Sequence, residues 1–282
     1  MAMPALSPAM STTSVGSPHV STGGALVGVD GRTLPLRGTT LRARAKGGVA
    51  RTVVRQTFVN PHAEALEVTY KLPLPVDGAV SGFRFVLDGV EVVGEVDRKQ
   101  RARERYEQAL VEGHTAALLE QERPNLFTQR VGNIPPRSTV VCEVTVDQRL
   151  TWLDEGAWEW RFPTVVGARY LGEAGRVADA DRVRVEVANA PMPHRLALEL
   201  TVADTIASGY RPESPSHPLD AVDEAQEGDP ALWGYRVAPL RTREPGAVAV
   251  SFRDREGVRL DRDVVVRWPV SEPNPGLTLD VA

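Results

Sequence analysis

From residue 25 onward the chain alternates apolar and polar residues with a period of two. Successive side chains of a strand point to opposite faces, so this rhythm sends one face into a core and leaves the other in water. In "LEVTYK" Leu66, Val68 and Tyr70 oppose Glu67, Thr69 and Lys71. "VVCEVTV" sets Val140, Cys142, Val144 and Val146 on one side, and "WEWRF" does the same with Trp158, Trp160 and Phe162. The pattern returns at Val183/Val185/Val187, Leu196/Leu198/Leu200/Val202, Val248/Val250/Phe252 and Val264/Val266/Trp268. Turn residues punctuate these runs, and Asp88-Gly89 between two of them is a hairpin signal. The chain is expected to be mainly β.

One segment departs from that rhythm. "VDRKQRARERYEQALVEG" carries Ala102, Tyr106, Ala109 and Leu110 at helical spacing, Asp97 and Gln100 as a weak capping box, and Gly113 where a helix would end. A single helix over about 97–112 is expected. Its other face holds Arg98, Lys99, Arg101, Arg103 and Arg105. A solvated helix face is the plain reading, and a docking surface for an acidic partner around Arg98, Arg101 and Arg105 is the alternative.

At 282 residues with 42% hydrophobic content the chain can bury a full core. A net charge of −4 gives no electrostatic case for nucleic acid as partner. No apolar run reaches the roughly 20 residues of a membrane span. "MAMPALSPAMSTTSVGSPHVSTGG" lacks the basic and apolar regions of a secretory signal. Its composition suits a flexible tail over 1–24. These features, with a single cysteine, lead to the expectation of a cytoplasmic location.

Catalytic and metal chemistry find few candidates. The five histidines, His19, His62, His114, His194 and His217, are scattered, and "DAD" at 179–181 and "DRD" at 261–263 lack the glycine and terminal glutamate of a calcium loop. Cys142 lies on the apolar face of its strand and reads as an inert core thiol. Ser214, Ser216, His217 and Asp220 crowd together in "SPSHPLD", but triad members usually come from distant segments, so a turn with side-chain hydrogen bonds is expected there. No nucleotide-binding loop is present in the sequence. The expectation is no catalytic residue, no cofactor and no metal.

The least generic stretch is "HTAALLEQERPNLFTQRVGNIPP", residues 114–136. His114 could serve as a base and Glu120 with Glu122 as a carboxylate pair. On an extended strand, however, the two glutamates merely share a face without enclosing a site. The run reads as strand, tight turn, strand and Pro-Pro corner, with polar groups that satisfy buried backbone. Together with "TFVNPHAEALEVTYKLPLPVDGAVSGFRFVLDG" and "RFPTVVGARYLG" it resembles the VIT (vault protein inter-α-trypsin) domain over about residues 30–172. That domain occurs in inter-α-trypsin inhibitor heavy chains, a vault-associated poly(ADP-ribose) polymerase and many bacterial proteins.

The resemblance implies a VIT-type β-sandwich with one α-helix, acting as a protein-interaction module without catalytic residues. It maps the family signature onto Glu120, Arg123, Asn125, Phe127, Gln129, Gly132 and Asn133, as fold-defining or interaction positions. It further implies the N-terminal part of a VIT–von Willebrand factor A type protein. The A-domain motif Asp-x-Ser-x-Ser is not met by Asp204-Thr205-Ile206-Ala207-Ser208, where Ile206 takes the third position. The expected organisation is a tail over 1–24, a VIT domain over 25–172, a second β-rich (sandwich-like) unit over 173–270 and a linker over 271–282. The expected partner is a protein, with a von Willebrand factor A domain in cis or in trans as one candidate. A carbohydrate-binding β-sandwich, or a hydrolase using loop 203–232 with His217, stands as the alternative.

Overall fold

A computed structural model describes residues 26–28, 33–34, 36–94, 97–123, 126–164, 195–222 and 246–271. The expected tail 1–24, the strand expected at 183–187 and the expected linker beyond Ser271 lie outside the described residues. The first strands are β1 (Leu26–Gly28), β2 (Thr33–Leu34), β3 (Leu36–Lys46), β4 (Val49–Val59), β5 (Leu66–Pro73), β6 (Ala79–Leu87) and β7 (Val90–Val93). Helix α1 (Lys99–Val111) interrupts them. There follow β8 (Ala116–Arg123), β9 (Leu126–Ile134), β10 (Thr139–Arg149), β11 (Thr151–Leu153) and β12 (Ala157–Phe162). The last are β13 (Arg195–Val202), β14 (Leu219–Ala221), β15 (Val248–Phe252), β16 (Val258–Arg259) and β17 (Val264–Pro269).

These strands make three sheets that feed one apolar core. The largest runs β14-β15-β13-β3-β4-β10-β6-β7, with β16 also on β13; the second runs β2-β1-β5-β9-β8; the third runs β11-β12-β17. The alternation decides which side chains enter: Leu41, Ala43 and Ala45 of β3 and Val140, Cys142, Val144 and Val146 of β10 are all buried. Among the described residues this is a mainly β, sandwich-like fold with one helix, as the VIT resemblance implied.

Local chemistry sets the turns. Gly47 and Gly48 both have positive φ, 59° and 79°, and join β3 to β4 through a two-residue loop, the twist that matches flanking strands. Asp88 and Gly89, at φ 44° and 89°, do the same between β6 and β7.

Two pairings cross the residue 172–173 position. Strand β13 runs parallel to β3 from Arg195↔Gly38 to Val202↔Ala45. Strand β17 runs antiparallel to β12 from Ala157↔Pro269 to Phe162↔Val264. Fully buried Trp160 and Trp268 come from these two neighbouring strands. Asp204, just after β13, reaches the β3–β4 loop: its carboxylate accepts from the Gly47 N–H at 2.6 Å and from the Trp268 indole N–H at 2.9 Å.

The helix begins later than its sequence signals suggest. Its N-cap is Arg98, extended at φ −62° and ψ 138° and without a side-chain cap bond, so the expected Asp97 box does not form. The Asp97 carboxylate instead accepts the Arg98 N–H at 2.7 Å and pairs with Arg101 at 3.2 Å. Gly113, at φ 82°, closes the far end as expected, its N–H bonding the Leu110 carbonyl at 3.0 Å.

Candidate functional site

The signature stretch lies where α1 meets the β8–β9 hairpin. An isolated helix of 13 residues is marginal in water, and Tyr106 is its one buried residue, so α1 depends on docking. The docking surface is the face of β8 and β9 that carries Glu120, Arg130 and Gly132. At Gly132 an added Cβ would come 2.5 Å from the Leu110 side-chain tip and 3.0 Å from the Tyr106 hydroxyl, so any side chain there would force Leu110 to shift. The Tyr106 hydroxyl donates to Glu67 of β5 at 3.0 Å. Burial, then the neighbouring Glu67 charge, pushes the Tyr106 phenol well above its ordinary range.

Glu120 is buried on this face and collects cations from two elements. Arg103 of α1 donates to it at 2.7 Å, Arg130 of β9 at 2.8 Å, and Lys99 stands 3.8 Å away. Burial alone would raise its carboxyl, but the two guanidinium bonds outweigh that and hold it below the usual carboxylate range. A carboxylate pinned this way is an anchor between helix and sheet, unsuited to accepting a proton near neutrality.

Asn133 has the backbone that non-glycine residues seldom adopt, φ 53°, where asparagine is among the best tolerated. Its Nδ2 donates to the carbonyls of Leu110 at 3.0 Å and His114 at 2.9 Å, so a strand residue closes the C-terminal end of α1. Phe127 and Gln129 point into the sandwich. Phe127 joins the main core; Gln129 is fully buried beside the Cys142 thiol, yet neither of its polar side-chain atoms has a partner of hydrogen-bonding geometry. Burial pushes that thiol up to about 12, which keeps it protonated and inert. Thus Glu120, Gly132 and Asn133 converge on the helix, and Phe127 and Gln129 on the core. The Arg123 side chain and all of Asn125 lie outside the described residues.

Sequence reasoning missed Asn60. It is fully buried; its Nδ2 reaches the Glu64, Ile134 and Pro135 carbonyls at 2.9–3.3 Å, and its Oδ1 accepts the His62 N–H at 3.0 Å. The Asn60-Pro61 pair, a turn dipeptide, was the signal available.

The other candidates separate. Arg101 and Arg105 are exposed and share the Asp97 carboxylate at 3.2 and 3.9 Å, and Arg98 is exposed at the helix start. His114 is exposed and 3.5 Å from Glu112. Ser214, Ser216 and His217 form a side-chain-bonded turn: Ser214 Oγ accepts the His217 N–H at 3.0 Å, and Ser216 Oγ accepts the Val265 N–H at 2.9 Å while lying 2.9 Å from His217 Nδ1. The ring packs against Phe252, its Nε2 is buried without a partner, and burial followed by Arg262 lowers its basicity. Among the described residues no group of three His, Cys, Asp or Glu is placed to hold a metal ion.

Comparison with known proteins matches residues 36–146 to the family model of the vault protein inter-alpha-trypsin domain. The chain carries a VIT domain. Mouse protein mono-ADP-ribosyltransferase PARP4 is 38% identical over 112 residues, covering 40% of this chain and 6% of that protein. Mouse von Willebrand factor A domain-containing protein 5A is 28% identical over 235 residues, 82% of this chain and 27% of that protein. The second match reaches past the VIT domain into the strands that follow it. The chain therefore spans less than a third of the length of these relatives. The M1 zinc metallopeptidase of Deinococcus radiodurans superposes with a TM-score of 0.40 at 11% identity, over 86% of this chain and 43% of that one, a likeness too low to bear on fold or function. The VIT domain and the A-domain-containing relatives together support a protein of the VIT–von Willebrand factor A type.

Proposed function

We propose that this chain is a non-enzymatic protein-interaction module, the VIT-bearing part of a VIT–von Willebrand factor A type protein. The observation that carries this reading is the use of the signature residues: Glu120, Gly132 and Asn133 are spent on seating α1 against the β8–β9 hairpin. The Ser216–His217 contact does not favour hydrolysis, because Ser216 Oγ is already engaged by the Val265 N–H and Nε2 has no water-accessible face. A carbohydrate platform needs several exposed rings to stack on sugars; Trp160 and Trp268 are fully buried, and among the described tryptophans Trp152 alone is exposed. A protein partner, with an A domain in cis or in trans as one candidate, fits this surface better. The free, buried Cys142 is compatible with a cytoplasmic setting, and no helix among the described residues is long and apolar enough to cross a membrane.

The test is affinity isolation of the tagged full chain from its own cells, followed by size-exclusion co-elution with whatever is captured. A single protein held in fixed stoichiometry through the column is the expected result. Elution of the chain alone at every concentration, with no stoichiometric companion, would sink the reading.

A further inference from the structure

We propose that residues 207–217 form a strap over the outer edge of β17, latched by His217, and that protonation of His217 opens it. The strap goes beyond the interaction-module reading and does not depend on it.

Among the named strands β17 pairs with β12 alone, along one side. Its other side is covered by three separate attachments. The Ala207 N–H donates to the Pro269 carbonyl at 2.9 Å, Glu213 exchanges both backbone bonds with Arg267 at 2.8 Å, and Ser216 Oγ accepts the Val265 N–H at 2.9 Å. Pro212, Pro215 and Pro218 have no N–H to give, so the segment cannot extend the one Glu213–Arg267 bridge into a ladder. Beyond the strap β14 joins β15 in the nine-stranded sheet, so the strap ties that sheet to the three-stranded one. Backbone held by so few bonds opens more easily than the strands beside it.

The side-chain bonds of the latch have fixed directions, because a hydroxyl has one proton to donate and two lone pairs. Ser214 Oγ accepts the N–H groups of Ser216 at 3.2 Å and His217 at 3.0 Å, so its proton goes to Ser216 Oγ, 3.1 Å away. Ser216 Oγ then accepts from Ser214 and from Val265. Its own proton goes to His217 Nδ1 at 2.9 Å, the Val265 carbonyl being more distant at 3.5 Å. Nδ1 is thus an acceptor, and the ring is the neutral Nε2–H tautomer. A proton added to Nδ1 would face an oxygen whose lone pairs are filled. The buried Nε2–H meanwhile has no acceptor among the described residues.

The ring itself is 6% exposed and packs on Phe252 of β15, centroids 5.0 Å apart. From the β16–β17 connection Arg262 opposes a positive ring and Asp261 favours one, the two paired at 2.9 Å. On the flanking strands Asp220 is paired with Arg253 at 3.0 Å, and Glu213 of the strap is exposed. Burial, then Arg262, keep the ring less basic than a histidine in water. The closed strap therefore binds the proton less well than the released one. Its latch holds fully above about pH 6.5 and weakens as pH falls below that value. Release bares the edge of β17, and a bare edge is a template for pairing.

Amide exchange of the full chain, read residue by residue by NMR at about pH 7.5 and about pH 5.5, tests the latch; this window lies above the ordinary carboxylate values. After correction for intrinsic rates, protection at Glu213, His217, Val265 and Arg267 should fall severalfold, to a limit of about tenfold, as the released ring goes from mostly neutral to mostly charged. Amides of β4 and β10 should keep theirs. The His217 ring, followed through its own proton shifts, should titrate below about 6.5. His217→Phe keeps a ring against Phe252 but takes up no proton, so its protection should not change over this range. If that variant disturbs the strap, His217→Gln, which retains an acceptor for Ser216, should be equally flat. A severalfold fall that persists in both variants, or wild-type protection that ignores pH, overturns the proposal. So does a ring that titrates at or above the ordinary histidine value, or an equal fall across β4 and β10.

Discussion

Glu120 shows how a single residue can look catalytic in sequence and prove architectural in space. A carboxylate flanked by glutamine, glutamate and arginine invites acid–base chemistry, but its neighbours in sequence are not its neighbours in the fold. The groups that matter are Arg103, seventeen positions earlier on α1, and Arg130 on the adjacent strand. Strand periodicity shows which face Glu120 occupies; it cannot show which cations lie over that face. Its carboxyl is lower in the folded chain than in the unfolded one, so the folded state binds the proton less well. The stability it contributes is complete above the unfolded carboxylate value, about 4.3, and is lost as pH falls through the depressed folded value. Glu120→Gln should therefore lower stability at pH 7 by about 1–3 kcal/mol, moderated because Arg103 and Arg130 stay partly exposed. In thermal melts the gap between wild type and variant should narrow as pH drops below 4. A gap that stays constant with pH would show that shape, not charge, is what the position requires.

At the level of elements, the strands were legible and their partners were not. Period-two alternation specifies a face without a neighbour, so β10, β12, β13 and β17 could be located while their assembly could not. Asp88-Gly89 and Gly113 were readable because positive φ restricts residue choice so strongly. The start of α1 was misplaced because Asp97 offers its carboxylate to Arg98 and Arg101, where the sequence rule assigns it to a cap. The signature glycine is the clearest gain from structure. Gly132 stood in the sequence only as a signature position; it lies within β9, and its missing side chain leaves room for Leu110 and Tyr106. Gly132→Ala should push the helix off the hairpin. We expect a loss of about 1–3 kcal/mol in urea unfolding, with faster amide exchange across α1 and little change in β3, β4 and β10. Unchanged exchange in α1 would mean that the helix holds itself by other contacts.

Across the whole molecule, sheet pairing runs between segments far apart in sequence. The second β-rich segment supplies β13 to the free side of β3, with eight residue pairs in register, and β17 to β12. Between them sits Asp204, whose buried carboxylate joins the Gly47 N–H to the Trp268 indole across 157 and 64 positions. Core residues Leu196, Leu198 and Leu200 belong to the same apolar cluster as Leu41 and Val144. A chain ending after Thr164 would expose the edges of β3 and β12 together with the apolar side chains that β13 and β17 cover, and exposed apolar edges invite aggregation. We expect the 1–164 fragment to be poorly soluble or to unfold without cooperativity, while the full chain melts in one transition. In the full chain, Asp204→Ala should cost about 2–4 kcal/mol, because it leaves both a backbone N–H and the buried Trp268 N–H without an acceptor. A 1–164 fragment that melts sharply within a few degrees of the full chain, alongside a near-neutral Asp204→Ala, would show that the VIT domain is complete without its parallel neighbour and that β13 only leans against it.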